Sequence, residues 1–246
     1  MLRVEGLPLV RVPAITAAQM AEVDRAAVEE YGIHLEMLME NASRAIALAA
    51  RVCLGGSVAG RRIVALAGPG NNGGDALGAT RHLLNWGAAA RAGIAVAPER
   101  LRPLPLVQYR ALAAIGAEPA AGVDRAALSS ADLILDGLLG YSVTGPPRGN
   151  IAAFIDAANA SGAPILAIDI PSGLDPDTGR PPGPSIVAAA TVTLGLPKVG
   201  LLADAARREV GRLLLADIAV PPVAYERFGV DARGIFADGE LVRVEI

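Results

Sequence analysis

The chain has 246 residues and a formal net charge of −3 at pH 7, long enough to bury one substantial core without a second domain. Apolar residues make up 52% of it and aromatics 3%, so the core must be built from Ala, Val, Leu and Ile, which suits helices packed on a parallel sheet. The mild acidity argues against a nucleic-acid-binding face or a polybasic membrane face, and the single cysteine, Cys53, rules out an internal disulfide or a cysteine-built metal site.

The N-terminal run MLRVEGLPLVRVPAIT has no continuous apolar stretch or cleavage signal and does not read as a secretory leader. A first helix is expected from about Thr16, with Thr16 and Gln19 spaced as a capping box and Met20, Val23, Ala27 and Val28 at helical spacing. Gly32 interrupts it, and a second amphipathic helix runs from about Leu35 to Leu54. Strand and helix then alternate: a strand at Arg62–Ala67, a helix through Leu84 and Trp86, a strand near Ala90–Val96, a helix near Pro103–Ile115, and a strand at Asp132–Leu135. A helix near Ile151–Ala160 and strands at Ile165–Ile168, Ala190–Leu194 and Arg212–Asp217 follow. Repeated crossovers imply a Rossmann-like three-layer α/β/α sandwich: a mostly parallel central sheet preceded by two helices. The whole chain, 1–246, reads as one domain with a core at about 16–220 and a C-terminal extension at about 221–246. The apolar stretch Ile186–Leu202 is broken by Pro197 and Lys198 and reads as a buried strand, not a membrane helix. A soluble, cytoplasmic protein is expected.

Three loops carry polar residues suited to chemistry. Gly68–Asp75, GPGNNGGD, lies between an apolar strand and a helix, where glycines let a ligand approach the backbone and helix amides favour an anion. Gly68, Gly70 and Gly73 match G-x-G-x-x-G, but no acidic residue ends the next strand, as a dinucleotide-dependent dehydrogenase requires. The glycines by themselves favour a tight structural strand–helix turn, whereas the paired asparagines and the terminal Asp75 argue for a ligand. The second loop follows Asp136 and contains Gly140 to Gly149; Asp136 stands where open parallel sheets bind ligands and is too far from the next helix to cap it. The third, IDIPSGLD, puts Asp169 at a strand end and Ser172 on a turn made by Pro171 and Gly173; the Ile170–Pro171 peptide is undecided between cis and trans. Two carboxylates, an asparagine and a hydroxyl converging there suit general acid–base work or a hard cation with oxygen ligands. Of 22 basic residues only Lys198 is a lysine. Either it fills a site that a guanidinium cannot, or it was retained by chance at a surface turn.

From about Thr16 to Leu202 these segments together (MAEVDRAAVEEYGI, LMENASRAIA, GPGNNGGD, LDGLLGYSVTG, AIDIPSGLD and TVTLGLPKVGLL) resemble the NAD(P)H-hydrate epimerase family, also called the YjeF N-terminal domain. The order and spacing of the pieces are more specific than any one of them. The resemblance implies an isomerase of metabolite repair that interconverts the R and S forms of hydrated NADH and NADPH (NADHX and NADPHX). It implies that Asn71, Asn72, Gly73, Gly74 and Asp75 line the substrate. Gly140, Tyr141, Ser142, Val143, Thr144, Gly145 and Pro146 would hold its phosphate or ribose, and Asp169 would contact the reacting ring or its ribose. It implies a potassium ion on Asn72, Asp136 and Ser172. The dehydratase domain often fused in bacteria is not in the sequence, so a separate NAD(P)H-hydrate dehydratase is the expected pathway partner. A homodimer is an option that the sequence does not decide. Where relatives often have glycine, this chain has Ser43 and Ala76.

The hydroxyl of the hydrated ring sits on a carbon next to nitrogen. Epimerisation by loss and return of water, or by ring opening and closure, needs proton delivery, proton removal and support for developing charge. Asp169 is the leading acid–base candidate, with Asp136 the second; Lys198 is a candidate substrate-phosphate contact or support. The rival readings are a non-catalytic nucleotide-binding scaffold on the same fold and an NAD-dependent oxidoreductase. The latter is weakened by the missing acid and by histidines, His34 and His82, that read as structural or surface residues.

Overall fold

The computed structural model describes residues 2–143 and 145–245. The described residues form β1 (Leu9–Val10), β2 (Arg62–Ala67), β3 (Ala89–Ile94), β4 (Ala120–Ala121), β5 (Leu133–Gly137), β6 (Ile165–Ile168), β7 (Ala190–Leu194), β8 (Arg212–Ala216) and β9 (Leu241–Val244). All lie in one sheet, in the order β1-β9-β8-β7-β6-β5-β2-β3-β4. Every neighbouring pair is parallel except β8 with β9. The helices are α1 (Ala17–Glu29), α2 (Leu35–Cys53), α3 (Asn71–Asn85), α4 (Pro103–Ala114), α5 (Arg125–Ser129), α6 (Gly149–Ala160), α7 (Arg207–Val210) and α8 (Val223–Glu226).

Side-chain alternation along the strands builds the three layers. Ile63, Ala65 and Ala67 of β2, with Leu133 and Leu135 of β5, enter a core shared with α2, α3 and Leu112 of α4. Val64, Leu66 and Ile134 point the other way, into a core with Phe154, Ile155 and Leu128. Because both faces are covered, the central strands read as continuous apolar runs. α1 starts with the expected capping box: the Gln19 N–H donates to Thr16 Oγ1 at 3.2 Å, and the Thr16 N–H donates to Gln19 Oε1 at 2.9 Å. Gly32, at φ +66°, turns the chain toward α2. No described peptide bond is cis, so the Ile170–Pro171 bond is trans.

The structure departs from the sequence reading mainly at the ends. Residues beyond 220 were expected to lie outside the core, yet β9 pairs with β8, and β1, before residue 16, pairs with β9. Strands of two and four residues are too short for a periodic signal, and their place comes from the long-range partner. β4 and the single-turn α5 escape for the same reason.

β3 and β4 lie on one side of β2, and β5 to β8 on the other, so the chain reverses its winding between β2 and β5. Loops leaving the carboxyl ends of these two strands part in opposite directions and open a crevice. The loops cross closely there: the Gly68 N–H donates to the Gly137 carbonyl at 3.1 Å, and a Cβ on Gly68 would lie 1.8 Å from the Leu138 carbonyl oxygen. A Cβ on Gly73 would lie 2.0 Å from the Gly68 carbonyl oxygen, whereas the nearest atom to one on Gly74 is the mobile Cε of Met39 at 2.7 Å. Gly73→Ala should therefore cost about 2–3 kcal/mol or more in urea unfolding. Gly74→Ala should stay within about 1 kcal/mol, because helix propensity offsets the contact with Met39.

Candidate active site

A cavity of about 220 Å³ occupies the crevice. One wall is helical: Met20 and Asp24 of α1 with Leu35, Leu38, Met39 and Ala42 of α2. The other is built at the strand ends, from Asn71, Asn72 and Asp75 of α3, the loop Leu138–Val143, Asp169 after β6, and Lys198 after β7.

Asp169 is one of two described non-glycine residues with positive φ, at +66°. The Ile170 N–H donates back to the Ile168 carbonyl at 2.8 Å, giving the rare, strained γ-turn. Such strain persists only where surrounding contacts over-determine it, and it clusters at functional sites. The contacts here are clear. The Asp169 N–H donates to the Val192 carbonyl at 2.8 Å. Its Oδ2 accepts from the Tyr141 N–H at 3.2 Å, and its Oδ1 accepts from Lys198 Nζ in a buried ion pair. Lys198 is 0% exposed, which removes the surface-turn alternative. Its ammonium also donates to the Leu194 carbonyl at 3.2 Å and stands 5.0 Å from the centre of the Tyr141 ring, within cation–π range.

Tyr141 joins the two walls, its hydroxyl donating to Asp24 Oδ2 at 2.6 Å. Burial pushes the Asp24 carboxyl above its ordinary range, with the Tyr141 hydrogen bond and the charge of Lys198 opposing. Asp75 is 7% exposed. Burial, then the neighbouring Asp169 and Asp24, hold it well above the usual carboxylate range, which favours its protonated form facing the cavity.

Asp136 and Ser172 do not line the cavity. Asp136 is 0% exposed and lies behind the loops, where its carboxylate accepts from Ser172 Oγ at 2.6 Å, the Ser172 N–H at 2.8 Å and the Leu138 N–H at 3.3 Å. Burial raises it to about 6 against these hydrogen bonds. The acid–base role expected of it is therefore not carried forward, since the cavity lined by Asp169 does not include its carboxylate. Asn72 bridges the two regions: its Nδ2 donates to the Leu139 and Ile168 carbonyls at 2.9 and 3.1 Å, while its Oδ1 is buried without a partner.

Of the other expected substrate residues, Gly140, Ser142 and Val143 line the cavity; Gly145 and Pro146 do not, and Thr144 falls outside the described residues. Gly73 and Gly74 serve close packing of α3 instead of lining the cavity. Ala76 packs in the core, and Ser43 lies against Gly78. The sequence reading missed Asp24. The available signal was an acid on the same helical face as Met20, Val23 and Ala27, all of them buried.

Breaking a buried ion pair from one side strands the other charge. Lys198→Met should therefore destabilise the fold by about 3–5 kcal/mol in denaturant unfolding, and adding Asp169→Asn should recover most of that loss. Lys198→Arg should not restore wild-type stability, because the wider guanidinium does not fit the slot.

Residues 35–200 match the family described as YjeF-related protein N-terminus. An NAD(P)H-hydrate epimerase of Dehalogenimonas lykanthroporepellens is 39% identical over 241 residues, covering 95% of this chain and 93% of that one. One from Limosilactobacillus fermentum is 36% identical over 83% of this chain and 96% of its own length. The bifunctional NAD(P)H-hydrate repair enzyme Nnr of Moorella thermoacetica is 40% identical over 84% of this chain, which spans 40% of that protein. The crystal structure of yeast ynu0 (YNL200c) superposes with a TM-score of 0.82, at 24% identity, over 94% of this chain and all of that one, and so shares the fold. With the family match spanning most of the chain and relatives aligned over nearly their full length, this chain belongs to the YjeF-related protein N-terminus family.

Proposed function

We propose that the chain is an NAD(P)H-hydrate epimerase, an isomerase that interconverts the R and S forms of hydrated NADH and NADPH. The observation that carries this reading is the strained Asp169, fixed to the chain's one lysine and open to a cavity at the sheet's reversal point. The full-length likeness to proteins of that name supports it. The cavity is smaller than the ~300–1,000 Å³ that encloses a drug-sized ligand, so it suits the reacting ring while the rest of the dinucleotide lies along the open mouth. Asn71 and the amides opening α3 then face the phosphates, and Arg102 stands at the rim.

When the hydroxyl leaves, the ring nitrogen's lone pair forms an iminium, and water returns to the carbon from the other side. Asp169 exchanges a proton with the oxygen, and Lys198 fixes the carboxylate's orientation and charge. An oxidoreductase is disfavoured because Ala95 and Val96, not an acid, follow β3. An open cavity lined by Asp24, Asp75, Asp169 and Lys198 speaks against a scaffold alone.

The Asn72–Asp136–Ser172 cluster suits a potassium ion. Its donors are hard oxygens, Asn72 Oδ1 has no partner, and the buried Asp136 carboxylate has no cationic neighbour among its hydrogen-bond partners. Such an ion would supply a fixed positive charge behind the loops that carry the site. Among the described residues no helix is long and apolar enough to cross a membrane. The cytoplasmic setting and a dehydratase partner, acting on one of the epimers, belong to this proposal. The bifunctional relatives, named for NAD(P)H-hydrate repair, support the latter.

Purified protein mixed with separated R and S hydrates should equilibrate them well above the spontaneous rate by chromatography, and Asp169→Asn should slow this by about 10²–10⁴-fold. Equilibration at the spontaneous rate would sink the reading. For the cation, the melting temperature should be higher in potassium chloride than in choline chloride at equal ionic strength. Asn72→Ala and Ser172→Ala should each abolish that difference.

A further inference from the structure

An epimerase faces a requirement that a one-sided active site does not meet. If hydroxide leaves one face of a planar iminium and water returns to the other, a proton must be given on the first face and taken on the second. The reverse reaction exchanges these duties. Asp169, with Lys198, serves one wall of the cavity, and the wall opposite is formed by α1 and α2. Of the residues from these two helices that reach the cavity, Asp24 alone is titratable; the others are Met20, Leu35, Leu38, Met39 and Ala42.

We infer that Asp24 is the second proton-transfer group of the epimerisation, serving the ring face turned to α1 while Asp169 serves the opposite face. This inference rests on the epimerase reading. Three observations support it. Asp24 lines the cavity from the helical wall, and its Oδ2 is aligned by the Tyr141 hydroxyl at 2.6 Å. Tyr141 also donates its N–H to Asp169 at 3.2 Å, so one residue sets both carboxyls. Finally, α1 is locked to the opposite wall at its start. The Ile15 N–H donates to the Pro197 carbonyl at 3.0 Å, and the Val199 N–H donates to the Ile15 carbonyl at 2.9 Å; these two bonds bracket Lys198. The Ala17 N–H donates to Asp177 Oδ1 at 2.7 Å, on the loop that follows Asp169. These bonds tie the start of α1, and with it Asp24, to the wall that carries Asp169 and Lys198, which is the positioning that paired proton transfer needs.

The step balances without a redox partner. Protonated Asp24 gives its proton to the departing hydroxyl as the carbon–oxygen bond breaks, releasing water, and the nitrogen lone pair closes the iminium. A water on the far side forms the new carbon–oxygen bond and loses its proton to Asp169, and the iminium electrons return to nitrogen. The other epimer runs the same step with the two carboxyls exchanged. The groups facing Asp24 are Tyr141 by hydrogen bond, Lys198 as a favourable charge and Asp169 as a like charge, with Asp75 alongside. Burial keeps Asp24 protonated to higher pH than an exposed aspartate, as an acid near neutrality must be.

The test compares wild type, Asp24→Asn, Asp24→Glu and Tyr141→Phe in both directions, with single-turnover inversion in ¹⁸O-water. Asp24→Asn keeps the shape and the Tyr141 hydrogen bond. It should lower kcat/KM by about 10²–10³-fold in both directions and remove one limb of its pH profile, with the melting temperature little changed. Asp24→Glu should recover part of the rate. Tyr141→Phe, which loses the aligning bond but keeps the carboxyl, should fall far less. Each inversion should install one solvent oxygen. If Asp24→Asn equilibrates the epimers at the wild-type rate, if Tyr141→Phe loses as much as Asp24→Asn, or if the original oxygen is retained, the inference fails while the epimerase reading stands. A wild-type protein that does not epimerise overturns both.

Discussion

The site depends on one buried ion pair, Lys198 with Asp169. Taking an ammonium and a carboxylate out of water costs several kcal/mol per ion, and their attraction repays this only when the geometry is fixed and the remaining hydrogen-bonding positions are filled. The fold meets both conditions. The ammonium's further donation goes to the Leu194 carbonyl and its face to the Tyr141 ring. The carboxylate's second oxygen takes the Tyr141 N–H. Asp169 reaches this position only through a left-handed backbone at +66°, a conformation that costs about 1–3 kcal/mol at a non-glycine residue. Two unfavourable terms are thus borne by one small constellation, and neither is needed to close the sheet. That combination separates a site from a core.

Two polar clusters divide the work on either side of the loops that follow β5 and β6. Toward the cavity stand Asp24, Asp75, Asp169, Tyr141 and Lys198. Behind the loops stand Asp136, Ser172 and the orphaned oxygen of Asn72. Asn72 connects them, because its amide holds the Leu139 and Ile168 carbonyls on both loops at once. A change at Asp136 or Ser172 therefore reaches the cavity through backbone position, not through contact with a ligand. Placing all three conspicuous aspartates of the strand-end motifs in direct contact with substrate overlooks this layering.

Much of the fold was legible. Continuous apolar runs marked the central strands because both of their faces are covered, and Thr16 with Gln19 marked the start of α1 because capping is local chemistry. What stayed hidden was non-local: β1 and β9, too short for a pattern, and the exposure of each polar residue. Sequence position alone could not separate Asp169, which faces the cavity, from Asp136, which does not, since both follow apolar strands. Lys198 was legible only as an anomaly against 21 arginines; its burial settles what the anomaly meant. Asp24 was visible in principle, as an acid on an apolar helix face within MAEVDRAAVEEYGI, but that segment served only to mark the family and no residue of it was given a role. The cluster on Asn72 was named through family likeness alone; that its Oδ1 is buried without a partner was not legible in the sequence.

The C-terminal segment then finds a place in the same argument. Val23 and Met20 of α1 pack with Leu196, Ala224 and Tyr225, while Phe228, Val230 and Ile235 press on that cluster from outside. On the surface, Arg227 reaches Glu22, within α1, at 2.9 Å and Glu30, just past its end, at 2.5 Å. Exposed pairs of this kind contribute about 0–1 kcal/mol each, against about 1.5–3 kcal/mol for burying one large apolar side chain. The apolar contacts therefore decide where α1 sits. Residues that carry no recognisable motif hold the helical wall of the cavity in place, and the width of the gap between Asp24 and Asp169 is set as much by this packing as by the strand-end loops.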